Sequence, residues 1–249
     1  MFIDTHCHIS SADYDDIDAV IKENLANNVD KMIVSACTFD TLEEAINLSK
    51  EYDCIYLTLG YHPSEAKLVG DEQLLFLKDC LNNPKVVGIG EIGLDYHYGK
   101  NDRLEQITLF RKQLEVAVSL NLPVVIHSRD ATFDTISILK EYPLKGVIHC
   151  FSGSLETARE YIKLGYKLGI GGVVTFTNSN LGDVVKEIGL SNIVLETDSP
   201  YLTPVPFRGK KNSSKYIPVI ASKIAAIFNI SSLEVGKVTS NNASDMFDL

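Results

Sequence analysis

Asp4-Thr5-His6-Cys7-His8 sets two imidazoles one residue apart almost at the start of the chain. If Phe2 to His8 is extended, side chains alternate between faces, so His6 and His8 share one side and Cys7 takes the other. Two imidazoles about 7 Å apart along a strand can grip one divalent ion if other segments supply further ligands. Two carboxylates are candidates, Glu91 ending one apolar run and Asp198 following another, because a carboxylate at the end of an apolar strand is costly unless paired or bound to metal. The remaining imidazoles are His62, His97, His127 and His149.

The elements that must position these groups are visible as short, nearly continuous apolar runs rich in β-branched residues: Phe2–His6, Lys31–Ser35, Ile55–Gly60, Val86–Glu91, Pro123–His127, Gly146–His149, Lys167–Gly171 and Asn192–Glu196. Such runs are what parallel strands covered on both faces look like. Helix-patterned stretches lie between them. In the clearest, Arg103–Asn121, Asp102 and Glu105 resemble a capping box, and Leu104, Ile107, Phe110, Leu114 and Ala117 form a core-facing stripe. Ser154 and Glu156 mark another helix start. Eight strand–helix repeats in a chain of 249 residues predict an α/β fold, a (β/α)8 TIM barrel. Additional C-terminal helices near Ile217–Phe228 and Ser232–Met246 would close its end. With no linker or shift in composition, residues 1–249 read as one domain. A doubly wound sheet is the rival architecture.

In the barrel, all six histidines fall at the C-terminal ends of strands or in the following loops, the face where barrel enzymes keep their sites. Four imidazoles and two carboxylates exceed what one catalytic ion with an open position needs, and suit two ions bridged by a carboxylate. Glu91 is the expected bridge; His6, His8 and Asp198 would hold one ion, and His127 with His149 the other. Arg129, directly after the fifth strand, and Arg208 with Lys210 and Lys211, after the eighth, are the candidate phosphate-binding cations. An ion pair of Arg129 with Asp130, and a solvated charge run at 208–211, are the competing structural roles.

The five cysteines are scattered and lack CxxC spacing, which predicts a reducing compartment and no disulfide frame. Alternation turns Cys7 and Cys150 into the packing layer behind the sheet as small buried hydrophobes. No apolar run approaches a membrane span and no signal peptide is read, so a cytoplasmic protein without membrane association is expected. The net charge of −10 speaks against a passive nucleic-acid binder but leaves room for a nuclease whose cations are metal ions.

Together Asp4-Thr5-His6-Cys7-His8, Gly60-Tyr61-His62-Pro63, Gly90-Glu91-Ile92-Gly93-Leu94-Asp95-Tyr96, His127-Ser128-Arg129-Asp130-Ala131, His149-Cys150-Phe151-Ser152-Gly153 and Glu196-Thr197-Asp198-Ser199-Pro200 resemble, in order and spacing, the TatD family of metal-dependent deoxyribonucleases. The resemblance implies His6 and His8 as ligands of a first metal, Glu91 as the shared ligand, and His127 and His149 as ligands of a second. It also implies that Asp198 ligates metal and positions or deprotonates the attacking water, with His62 near the scissile phosphate. The chain departs from the family pattern at Ser213-Ser214, within the loop after the eighth strand, and at His97, where many relatives carry another aromatic.

The resemblance implies hydrolysis of DNA, as a 3′–5′ exonuclease on single strands; a monomer with no obligate protein partner is expected. RNA is a further candidate substrate. Imidazole ligation favours Zn2+ or Mn2+, whereas the resemblance implies Mg2+. The alternatives are a binuclear hydrolase of small esters or amides, and a deacylase of aminoacyl-tRNA. Lysine-bridged relatives of the former kind are disfavoured because Val86–Gly93 contains no lysine. Tyr96, Tyr98 and Tyr201 are candidates to stack bases.

Overall fold

β-Branched and aliphatic runs that are buried on both faces need helices on one side and other strands on the other. The computed structural model, which describes residues 1–249, builds this arrangement eight times. Strands β1 (Phe2–Cys7), β2 (Val29–Ala36), β3 (Ile55–Leu59), β4 (Val86–Asp95), β5 (Val124–Arg129), β6 (Gly146–Ile148), β7 (Tyr166–Ile170) and β8 (Ile193–Leu195) pair in parallel in chain order. Helices α1 (Ile17–Ala26), α2 (Phe39–Glu51), α3 (Asp71–Cys80), α4 (Arg103–Leu120), α5 (Thr132–Leu139), α6 (Leu155–Lys163) and α7 (Leu181–Ile188) alternate with them. Two further helices, α8 (Ile217–Phe228) and α9 (Ser232–Phe247), follow β8. No single helix is long and apolar enough to cross a membrane.

The ring is nearly closed between its first and last strands. Cys7 bridges Ser199, the His8 N–H donates to the Ser199 carbonyl at 2.7 Å, and the Asp198 N–H donates to the His6 carbonyl at 3.0 Å. Asp4 reinforces the seam: its buried carboxylate accepts the Thr197 N–H at 3.0 Å and the Thr197 hydroxyl at 2.6 Å. The protein is therefore a (β/α)8 barrel with extra C-terminal helices.

Its core has two parts. The larger lies between strands and helices and includes Cys7. The smaller joins Ile3, Ile33, Val87, Val125, Val147 and Val194 from six strands to Ala243, Met246 and Phe247 of α9, which plugs one end of the ring. His127 and His149 stand two residues beyond Val125 and Val147, so the two-residue period keeps them on the same face.

Some expectations need correction. β4 does not stop at Glu91: Ile92 to Asp95 continue to pair with Ile126 to Arg129 of β5, past a register shift between Ile89 and Ile92 that contains Glu91. Leu104 is 72% exposed, because the buried face of α4 runs instead through Gln106, Leu109, Gln113 and Val116, together with the expected Phe110, Leu114 and Ala117. Asp102 makes no side-chain cap; it accepts from Gln106 Nε2 at 3.1 Å. Ser154 does cap α6, accepting the Thr157 N–H. Cys7 is fully buried as expected, but Cys150 is only half-buried, since β6 ends at Ile148 and Cys150 turns with φ 48°.

Candidate metal centre

Glu91 is the hub. Its carboxylate is 4% exposed, and its two oxygens face two different pairs of imidazoles. Oε2 lies 3.4 Å from His6 Nε2 and 3.8 Å from His8 Nε2. Oε1 lies 2.6 Å from His127 Nδ1 and 2.8 Å from His149 Nε2. The backbone reaches this crowded centre because Gly90 has no side chain: a Cβ there would sit 2.6 Å from Val125 Cβ. Asp198 completes the first group, with Oδ1 3.7 Å from His6 Nε2 and 3.6 Å from His8 Nε2. All six expected ligands thus converge on one spot.

Neighbouring groups fix which nitrogen of each ring faces inward. A carbonyl only accepts, so His8 Nδ1, 3.0 Å from the Ser35 carbonyl, carries the proton and turns the Nε2 lone pair to the centre. Asp95 Oδ2, 3.3 Å from His127 Nε2, likewise leaves Nδ1 facing Glu91. Glu196 Oε1 stands 3.8 Å from His149 Nδ1 and accepts the Cys150 N–H at 2.5 Å. Its buried side chain occupies space that only a glycine opposite leaves free, since a Cβ on Gly169 would fall 2.0 Å from Oε2.

The electrostatics follow from burial and crowding. Burial would raise Glu91, but the His149, His127 and His6 rings hold it well below the usual carboxylate range. Burial opposes charge on His149 and His127; Glu91 and Asp95 override it for His127, and Glu91 with Glu196 and Asp198 for His149, so both are raised. His8 is raised against its burial by Asp198 and Glu91. His6 goes the other way, pushed to about 4 by burial and by His149. Glu196, desolvated and near Asp198, is pushed up to about 8.

This donor set fits divalent cations. Neither ring nitrogen of His6 makes a hydrogen bond although the residue is 1% exposed, and His149 Nδ1 is also buried without a partner. Buried polar nitrogens left unpaired are costly. His6, His8, Glu91 and His6, His149, Asp198 form groups able to share an ion, as does Glu91, His127, His149.

His62 has a different character. Its Nδ1 accepts the Ser64 backbone N–H at 3.1 Å, so the neutral ring carries its proton on Nε2, 3.8 Å from Glu91 Oε1. Burial pushes it down to about 4. It therefore offers an N–H donor to the cavity.

A cavity of about 510 Å³ opens over the centre, lined by His8, His62, Glu91, His127, Arg129 and Asp198 among others. Arg129 is free to face it because Asp130 pairs with His97 at 3.0 Å. Arg208 does not line it: its guanidinium lies 4.4 Å over the Phe176 ring and donates to the Thr203 carbonyl at 3.1 Å. Lys211 is also engaged, with the Asp13 carbonyl. Ser213 and Ser214 are buried, and the Ser213 hydroxyl donates to Asn24 Oδ1 at 2.7 Å.

Sequence reasoning missed Asp95 and Glu196 as partners of the centre, and Asp4 as the buried carboxylate of the β1/β8 seam. Asp95 was hidden by ending β4 early. The two-residue period back from Asp198 was the available signal for Glu196.

An eight-stranded parallel barrel with imidazoles and carboxylates converging at the C-terminal ends of its strands defines a metal-dependent hydrolase. The family described as TatD related DNase matches residues 3–248, and the chain belongs to it. It is 41% identical to the metal-dependent hydrolase YabD of Bacillus subtilis, over 99% of each chain. It is 39% identical to the deoxyribonuclease Tat-D of Schizosaccharomyces pombe, over 75% of this chain and 64% of that one. The crystal structure of the TatD homologue YJJV from Escherichia coli superimposes with a TM-score of 0.93 and 31% identity, covering 100% of this chain and 98% of the other.

Proposed function

We propose that the protein is a deoxyribonuclease that hydrolyses phosphodiester bonds of single-stranded DNA as a 3′–5′ exonuclease, using water activated between two divalent ions. The observation that carries this is Glu91, whose two oxygens face separate imidazole pairs. The first ion would be held by His6, His8, Asp198 and Glu91, the second by His127, His149 and Glu91. Bound there, such ions would supply a lowered pKa for water and positive charge to offset that on the phosphoryl oxygens.

The side chains do the rest. Asp198 Oδ1 faces the first group and, held below the ordinary carboxylate range despite its burial by His8, His149 and His6, is ionised to accept the proton of the attacking water. His62 donates its Nε2–H to a non-bridging phosphate oxygen, neutralising developing charge as a fixed dipole. Arg129 supplies the cation that orients the phosphate. Polarity and strand preference rest on the family resemblance.

The test adds Mg2+, Mn2+ or Zn2+ singly to metal-stripped protein with labelled single-stranded DNA, tRNA or simple esters. Nucleotides should be released from the 3′ end. Asp198→Asn should lower kcat by about a hundredfold to ten-thousandfold. Turnover of esters or aminoacyl-tRNA with intact DNA would overturn the proposal.

A further inference from the structure

The three tyrosines near the site separate in the fold. Tyr96 is 5% exposed and its hydroxyl donates to Asp134 Oδ2 at 2.8 Å, so it is a packing residue. Tyr98 is 90% exposed and Tyr201 59% exposed, and both line the cavity. An aromatic ring held in water beside a polar centre forfeits its burial energy unless a ligand covers it.

Their places in the ring matter as much as their exposure. Tyr98 follows β4 and lies under the Arg129 guanidinium, 5.7 Å from its ring centre, at the end of β5. Tyr201 follows β8 and meets the His8 ring edge-on at 6.2 Å, beside β1. In an eight-stranded ring in chain order, the β4/β5 position is diametrically opposite β8/β1. The two rings therefore flank the centre from opposite sides.

We propose that Tyr98 and Tyr201 are stacking platforms for unpaired bases on either side of the scissile phosphate, a substrate-class assignment that rests on the nuclease function proposed above. Stacking tolerates any base, because every base has a π-face, and it needs that face unpaired. Arg129 over Tyr98 extends the first platform with a planar cation. The charge balance points the same way. A chain of net charge −10 with Arg208 and Lys211 engaged elsewhere has few cations for the backbone, so base contacts must contribute to affinity.

The test compares metal-loaded Tyr98→Ala and Tyr201→Ala with the unaltered protein on a short oligothymidylate and on the same strand with its two 3′-terminal bases removed. Each alanine should raise KM for the intact strand roughly tenfold with kcat little changed. That loss should vanish on the abasic strand. Tyr98→Phe and Tyr201→Phe should restore binding. Phe133→Ala, at an 82% exposed aromatic outside the cavity, should change nothing. Equal losses on intact and abasic strands, or no loss on either, overturn the platforms while leaving the nuclease function standing. Failure of the unaltered protein to cleave either strand overturns both.

Discussion

The two halves of the candidate metal centre share Glu91 but are spaced differently. On the β1/β8 side, donor atoms stand 3.4 to 3.8 Å apart. Two ligands about 2.1 Å from one tetrahedral ion are about 3.4 Å from each other, so this half already has the separation an ion requires. On the β5/β6 side, His127 and His149 approach Glu91 Oε1 to 2.6 and 2.8 Å, which are hydrogen-bond lengths. One half is spaced for a metal and the other for a proton. The difference traces to the chain: His6 has no hydrogen-bond partner at either nitrogen, while His127 and His149 are backed by Asp95 and Glu196, which favour their charged forms.

Removing what the halves share should have the largest effect. If Glu91 bridges two ions as proposed, Glu91→Ala should abolish binding of both and lower kcat/KM by about a thousandfold or more, since such ions would supply several kcal/mol of transition-state stabilisation. Metal content by elemental analysis and a native circular dichroism spectrum are the readouts. A folded variant that keeps two ions would show that the halves are independent.

The pH response should separate them next. His127 and His149 are raised above the ordinary imidazole value, so each must shed a proton before an ion binds. Affinity therefore rises with pH, by about a hundredfold per unit where two protons leave and about tenfold where one does. In the first half only His8 is raised, His6 being neutral. Calorimetric titration of metal-stripped protein between about pH 6 and about pH 8 should resolve two steps, the weaker one steeper with pH. The same raised values stabilise the metal-free fold below the unfolded imidazole pKa, and that contribution is lost as pH rises through them. Two steps of equal slope would break the comparison.

A smaller effect should appear at Glu196. Glu196→Gln keeps the shape and the acceptor for the Cys150 N–H but removes the negative charge that builds behind His149 as the pH approaches about 8. Second-ion affinity should change by about tenfold to a hundredfold, with the first ion unaffected. Equal change in both would mean that Glu196 acts through the fold of the β8 end.

The barrel and the convergence of the six candidate side chains could be read from the sequence because both obey short-range rules: apolar runs for strands, and strand ends for chemistry. His127 and His149 follow from the two-residue period alone. His6 required more, since Ile3 faces the interior and an ideal strand would then turn His6 away. A register shift between Asp4 and Cys7 resets the phase, and nothing in the local pattern announces it. Asp95 was lost for a related reason, because β4 runs on past its register shift wherever β5 offers pairing partners. Tyr96, Tyr98 and Tyr201 were indistinguishable in sequence, as their exposure depends on Asp134 and on loops from distant strands.

The smallest expected effect concerns the two arginines, and it carries the comparison outward from the metals. Arg129 ends β5, on the proton-spaced side, and lines the cavity. Arg208 lies beyond β8, on the metal-spaced side, with its guanidinium on Phe176 and Thr203. Truncating Arg129 removes a phosphate contact, so Arg129→Ala should raise KM for DNA about tenfold, the worth of one charge-assisted hydrogen bond. Arg208→Ala removes a cation–π contact and a backbone hydrogen bond, about 1 kcal/mol of stability, and should leave kcat/KM within about twofold. The paired measurement is KM alongside Tm for both variants. If Arg208→Ala instead raised KM with Tm unchanged, the loop after β8 would have to swing its guanidinium over the β1/β8 half when DNA binds, and the side already spaced for metal would also be the side that holds the phosphate.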